Sequence, residues 1–149
     1  MIHRVPLALV PDLWPALEEY AERAAKYHPF LDPESMFIVL MEGYGQLFVV
    51  TDARGIEGFA ITEVIRFPRV TVGNVVAAGG RMGFLKTLRG ELLAEMERWA
   101  AEQGATQFMV TGRPGWTRVA GRLGFETERT STAWRPIDGQ QGRRPDTDH

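Results

Sequence analysis

The sequence predicts an α/β fold on a mixed sheet, in the order β-α-α-β-β-β-α-β-α-β. Three observations carry this. Between Gly45 and Ala78, three runs of β-forming residues follow one another across short turns, the pattern of an antiparallel meander. The longest helical stripe comes next: Leu85, Leu88, Leu92, Met96 and Trp99, backed by Leu93 and Ala100. A strand, ATQFMVTG, is then entered directly from that helix, so the segment reads as a β-loop-α-β unit.

The elements follow in order. IHRVPLALV reads as a first strand, which Pro6 confines to an edge. Asp12 is the expected N-cap of a first helix, with Pro15 in its first turn. Leu13, Leu17, Tyr20, Ala24 and Tyr27 recur at helical spacing, and Pro29 ends the run. Asp32-Pro33 sets a cap and a first-position proline at the start of a second helix, which Gly43 closes. GQLFVVTD, IEGFAITEVIRF and VTVGNVVAA are the three meander strands, and GGRMGF separates them from the long helix. Gly104 stops that helix. A short helix is expected from Pro114 to Gly124, and FETERTSTAWRPI is the last strand. Residues 1–137 read as one domain; the tail 138–149 has no apolar residues and is expected to be disordered.

Bulk composition excludes several classes. A chain of 149 residues can bury a core without staples. Its 44% hydrophobic and 24% charged residues are ordinary for a globular domain. The absence of cysteine removes disulfides, thiolate metal sites and a cysteine nucleophile, and suits a reducing, cytoplasmic setting. A net charge of −2 argues against a protein built to grip nucleic-acid phosphates. No stretch is apolar enough to span a bilayer, and no signal peptide is read. His3, His28 and His149 show no metal-ligand spacing, so no metal is expected.

One stretch, GRPGWTRVAGRLGFE, admits two readings. Trp116, Val119, Ala120 and Leu123 share one helical face, with Arg118 and Arg122 on the other. Trp116 then anchors the helix on the sheet, or it lines with Arg113 a mouth where a ligand or a partner docks.

The element order, the GGRMG junction before the long helix, and WAAEQGATQFMV followed by GRLGFE resemble the GNAT family of acetyl-CoA-dependent N-acyltransferases, over roughly residues 2–136. The Gly-Arg-Pro-Gly-Trp version at 112–116 is similar to a GNAT-like group associated with phage and prophage genomes. The resemblance implies acetyl-CoA at the splayed end of the fourth strand, with pantetheine against the backbone of Val75, Val76, Ala77 and Ala78. Arg81, Met82 and Gly83 would form the phosphate end, where a helix N-terminus presents unpaired N–H donors.

The sequence also departs from the family pattern. The usual loop has Arg or Gln, two residues, Gly, one residue, then Gly or Ala; here only Arg81 and Gly83 can be placed. A tight strand-to-helix corner explains the same glycines. Phe84 and Leu85 would crowd a site that normally takes small residues. The tyrosine that commonly protonates the leaving thiolate falls on Ala120, leaving Tyr27 or Tyr44 as substitutes. Glu63 is the candidate catalytic base, with Glu57 next.

The resulting expectation is transfer of an acetyl group from acetyl-CoA to a small amine or a protein amino group. The alternative is a non-catalytic GNAT-fold phage protein, a virion component or host-directed binder. The arginines toward the C-terminus are diluted by Glu126 and Glu128, so nucleic acid and membrane are not expected as partners. An unpaired edge at the last strand suits a homodimer.

Overall fold

The computed structural model describes residues 1–84, 88–110, 121–122, 124–126, 133 and 135–137, and for residues 88 and 89 the backbone alone. Among these residues a five-stranded sheet runs in the order β1-β2-β3-β4-β5. Its strands are β1 (Ile2–Val5), β2 (Gln46–Asp52), β3 (Gly55–Arg66), β4 (Thr71–Gly80) and β5 (Gln107–Val110). The first four pair antiparallel, and β5 joins β4 in parallel. The parallel pair requires a crossover, supplied by the helix between β4 and β5. The expected mixed sheet is present; the final helix and strand of the expected order, and the tail, fall mostly outside the described residues.

The helices are α1 (Val10–Leu13), α2 (Glu18–Ala25), α3 (Pro33–Met41) and α4 (Leu93–Glu102). The first three cover one face of the sheet, where Val10, Trp14, Leu17, Ala21, Met36 and Leu40 pack on Val5, Leu47, Val49, Phe59, Ile61 and Ala77. On the other face Leu92 and Met96 pack with Phe84 on Phe48, Val50, Ala60 and Val75. Covering both faces explains why Leu47–Val50 are buried in succession, without the alternation of a one-sided strand. Each such side chain contributes about 1.5–3 kcal/mol. Trp14 ties the helical layer together: its ring meets Phe59 edge-on at 6.1 Å and Phe37 at 5.8 Å.

Several sequence expectations are corrected. The first strand stops at Val5, because extended Pro6 leads into a 3-10 turn at Leu7–Leu9. Asp12 is no N-cap; it lies inside α1. Pro11 and Pro15 are four residues apart, so Pro15 has no N–H to give to the carbonyl of Pro11. The expected single helix is therefore broken into α1, a 3-10 turn at Trp14–Ala16, and α2. α2 ends at Ala25, and Tyr27 lies exposed beyond it instead of in the buried stripe. The long helix is not continuous either. A π-turn occupies Leu88–Leu92, and Gly90 (φ −101°, ψ −118°) departs from helical geometry before α4 begins. Asp32 does cap α3, accepting from the Ser35 N–H at 2.7 Å, with Pro33 as the first helical residue.

Candidate functional site

The site grows out of an irregularity in β4. Ile61 of β3 faces Ala77 and Thr62 faces Val75, so Val76 is an extra residue with no counterpart. Such a bulge increases the local twist and re-aims the strand. On the opposite side of β4, the register with β5 runs from Val72–Gln107 to Val75–Val110. Beyond Val75, no described strand pairs with that side of β4. On the side away from β3, the main-chain N–H and C=O groups of Val76 to Gly80 thus have no partner strand among the described residues. An unpaired strand edge of this kind accepts an extended ligand by main-chain hydrogen bonding.

The candidate residues distribute around this edge. Val75 lies within the β5 register and is buried; Ala77 is also buried, and Val76 and Ala78 are half-buried. Gly79 and Gly80, expected in a connecting loop, are the last residues of β4 and pair with Phe59 and Gly58. The chain then turns. The Arg81 N–H donates to the Glu57 carbonyl at 2.9 Å, and the Phe84 N–H to the Arg81 carbonyl at 2.9 Å. Met82 is fully exposed, and Gly83 adopts a left-handed φ of +87° with open space where a Cβ would stand. Residues 85–87, including Leu85, lie outside the described residues.

Arg81 turns back to the β2–β3 connection, where its guanidinium bonds the Asp52 carboxylate. Asp52 also accepts from the Arg54 backbone N–H at 2.8 Å. That bond, followed by the charges of Arg81 and Arg54, holds its carboxyl below the usual carboxylate range. Arg23 reaches the Gly80 carbonyl at 3.5 Å, so two cationic side chains stand at the end of β4.

Phe84 is only 3% exposed. A Cβ on Gly58 or on Gly80 would lie 2.6 Å from its ring. The ring therefore packs toward β3, over two positions kept bare for it, and joins the core beneath α4.

Glu63 lies on β3 directly opposite Asn74 of β4, two residues before the bulge. It is half-buried, and its Oε1 accepts from Asn74 Nδ2 at 3.2 Å. Glu57 sits at the other end of β3, as the extra residue of a second bulge where Val50 faces Gly58 and Thr51 faces Ile56. Three buried side-chain polar atoms lack a partner among the described residues: Thr62 Oγ1, Asn74 Oδ1 and Arg81 Nε. Thr62 and Asn74 lie beside the bulge on opposite faces of the sheet, and Arg81 follows the end of β4. An orphaned polar atom costs about 1–3 kcal/mol.

The remaining candidates are scattered. Tyr27 and Tyr44 are exposed, before α3 and before β2. Arg113, Trp116, Arg118, Val119, Ala120 and Leu123 lie outside the described residues, and Arg122 is exposed. A hollow of about 490 Å³ opens between β1 and α1, lined by His3, Val5, Leu9, Leu13, Val49 and Ile56. It is mostly apolar, at the sheet edge opposite β5, and holds none of the groups above. Among the described residues, no cluster of His, Cys, Asp and Glu could hold a metal, and no helix is long and apolar enough to cross a membrane.

Sequence reasoning missed the bulge and Asn74. Nothing in VTVGNVVAA marks Val76 as the extra residue, and Asn74 gains meaning only once the register puts it opposite Glu63.

No protein-family model matches the sequence, and no curated protein matches it significantly. Solved structures do match. One is an aminoglycoside acetyltransferase from an uncultured soil metagenomic sample, in complex with sisomicin, at TM-score 0.68 and 14% identity, over 92% of this chain and 95% of that one. Another is aminoglycoside acetyltransferase AAC(6')-Iy with a CoA bisubstrate analog, at TM-score 0.68 and 16% identity, over 92% and 97%. A third is a probable acetyltransferase, at TM-score 0.65 and 17% identity, over 94% and 99%. At these identities the likeness establishes the fold: the chain has the GNAT-like architecture that these acetyltransferases share.

Proposed function

We propose that this protein transfers an acetyl group from acetyl-CoA to an amine. The observation that carries the reading is the stretch of β4 beyond Val75, which begins with the bulge at Val76 and has no second partner strand among the described residues. The fold likeness to CoA-bound acetyltransferases supports it. A pantetheine arm is a chain of amides, so it can lie along Val76–Ala78 as a short extra strand. The thioester carbonyl then accepts from a β4 N–H, which stabilises the oxyanion formed on attack. The pyrophosphate is assigned to the turn at Arg81, Met82 and Gly83, where the helix that follows starts.

The amine nitrogen attacks the thioester carbon, the C–S bond breaks, and CoA leaves as thiolate. Glu63 is the assigned base, taking the proton that the nitrogen loses. It lies on the α1–α3 face of the sheet, so the acceptor approaches from that side.

The test is thermal unfolding with and without millimolar acetyl-CoA. Ligand at 100 times its dissociation constant adds about 2.7 kcal/mol, a rise of roughly 5–10 °C for a domain of this size. No rise with acetyl-CoA, propionyl-CoA or free CoA overturns the proposal.

A further inference from the structure

We infer that Asn74 is the positioning residue of Glu63, holding its carboxylate in one orientation toward the acceptor amine. The inference rests on the acetyl-transfer reading above and extends it to a residue that no sequence feature singled out.

Three observations converge. First, Glu63 and Asn74 face each other across β3 and β4, two residues before the bulge. Second, among the described residues Asn74 is the one hydrogen-bond partner of Glu63, through Nδ2 at 3.2 Å. Its in-register neighbours on the same face are Ile61 and Ile65 along β3, Val72 along β4 and Met109 on β5, none of them charged. Third, the amide is oriented at a cost. Its Nδ2 points to Glu63 while its Oδ1 is buried without a partner among the described residues. Reversing the amide would set a carbonyl oxygen against the carboxylate, so Glu63 fixes the orientation.

The arrangement has a defined chemical consequence. A carboxylate bonded to a fixed donor keeps one orientation, and a base must lie within hydrogen-bond reach of the proton it takes. One oxygen is held by Asn74, which leaves the other to take that proton.

The experiment measures kcat and KM for acetyl transfer to a panel of primary amines in Asn74→Leu, which keeps the size of the side chain without the donor, alone and combined with Glu63→Gln. Asn74→Leu should lower kcat by about tenfold or more, the equivalent of one lost hydrogen bond to a charged group, while KM for acetyl-CoA and the acetyl-CoA thermal shift stay at their wild-type values. In the Glu63→Gln background the same change should cost little more, because the group it positions is already gone. An unchanged kcat in Asn74→Leu overturns the inference, as does a loss of the same size in both backgrounds. Loss of the acetyl-CoA thermal shift in the wild type is a different result: it removes the acetyl-transfer reading itself.

Discussion

Gly79 of β4 stands so close to Tyr20 of α2 that a Cβ added to it would lie 2.5 Å from the tyrosine carbonyl oxygen. This is backbone against backbone, so no rotamer change relieves the contact. Gly79→Ala should therefore push α2 off the sheet and destabilise the fold by about 1–3 kcal/mol. Urea unfolding checks it; a midpoint equal to that of the wild type would show that α2 can shift freely.

Gly83 separates charge from conformation. Its φ of +87° penalises most side chains, but asparagine and aspartate tolerate that region best. Gly83→Asn and Gly83→Asp should thus fold alike. Only the aspartate sets a negative charge beside the assigned phosphate turn, so only it should lose the acetyl-CoA thermal shift. Equal shifts in both variants would place the phosphates elsewhere.

Glu63→Gln keeps the shape of the side chain and its contact with Asn74 but cannot accept a proton. Acetyl transfer should fall by about 10²–10⁴-fold, with acetyl-CoA binding retained. Unchanged turnover, measured as thiol released from acetyl-CoA, would exclude Glu63 as the base.

Asp32 couples α3 to pH. The Ser35 backbone N–H is the main cause holding its carboxyl below the usual aspartate value. A depressed folded-state value means that its stabilisation is complete well above the unfolded value of about 3.9, and fades as pH falls through the lower folded value. Asparagine caps nearly as well and does not titrate. Asp32→Asn should accordingly be near wild type at pH 7, with a shallower loss of stability below about pH 4. Asp32→Ala should lose about 1 kcal/mol at pH 7. An acid unfolding profile of Asp32→Asn that superimposes on the wild type would remove Asp32 from that linkage.

Local rules account for what was legible in the sequence. Asp32-Pro33 and Gly43 bracket α3 through cap chemistry confined to a few residues, and the meander follows from short turns between β-forming runs. Gly104, at φ +96°, ends α4 for the same kind of reason. What escaped depends on register between distant residues. The bulge at Val76 exists only as a mismatch between two ladders, Ile61–Ala77 and Thr62–Val75. Among the glycines before the long helix, Gly80 shares with Gly58 the task of admitting the Phe84 ring, a demand set from across the sheet. Nor did the sequence show that Arg81, assigned to the phosphates from its place in that loop, also bonds Asp52 in the β2–β3 connection that folds beside it.

Arg4 reaches across the sheet to α4, donating to Glu95 at 2.6 Å and, with both terminal nitrogens, to Glu102 at 2.7 and 3.2 Å. These contacts join residues 91 and 98 positions apart in the chain. During synthesis, the first strand therefore waits for nearly the whole described domain before this fastening can form. Loop-closure entropy makes so distant a pairing late and slow. Until then β1 is held by β2 alone, and the nascent protein is most exposed to misassembly at the strand that its finished form latches to α4.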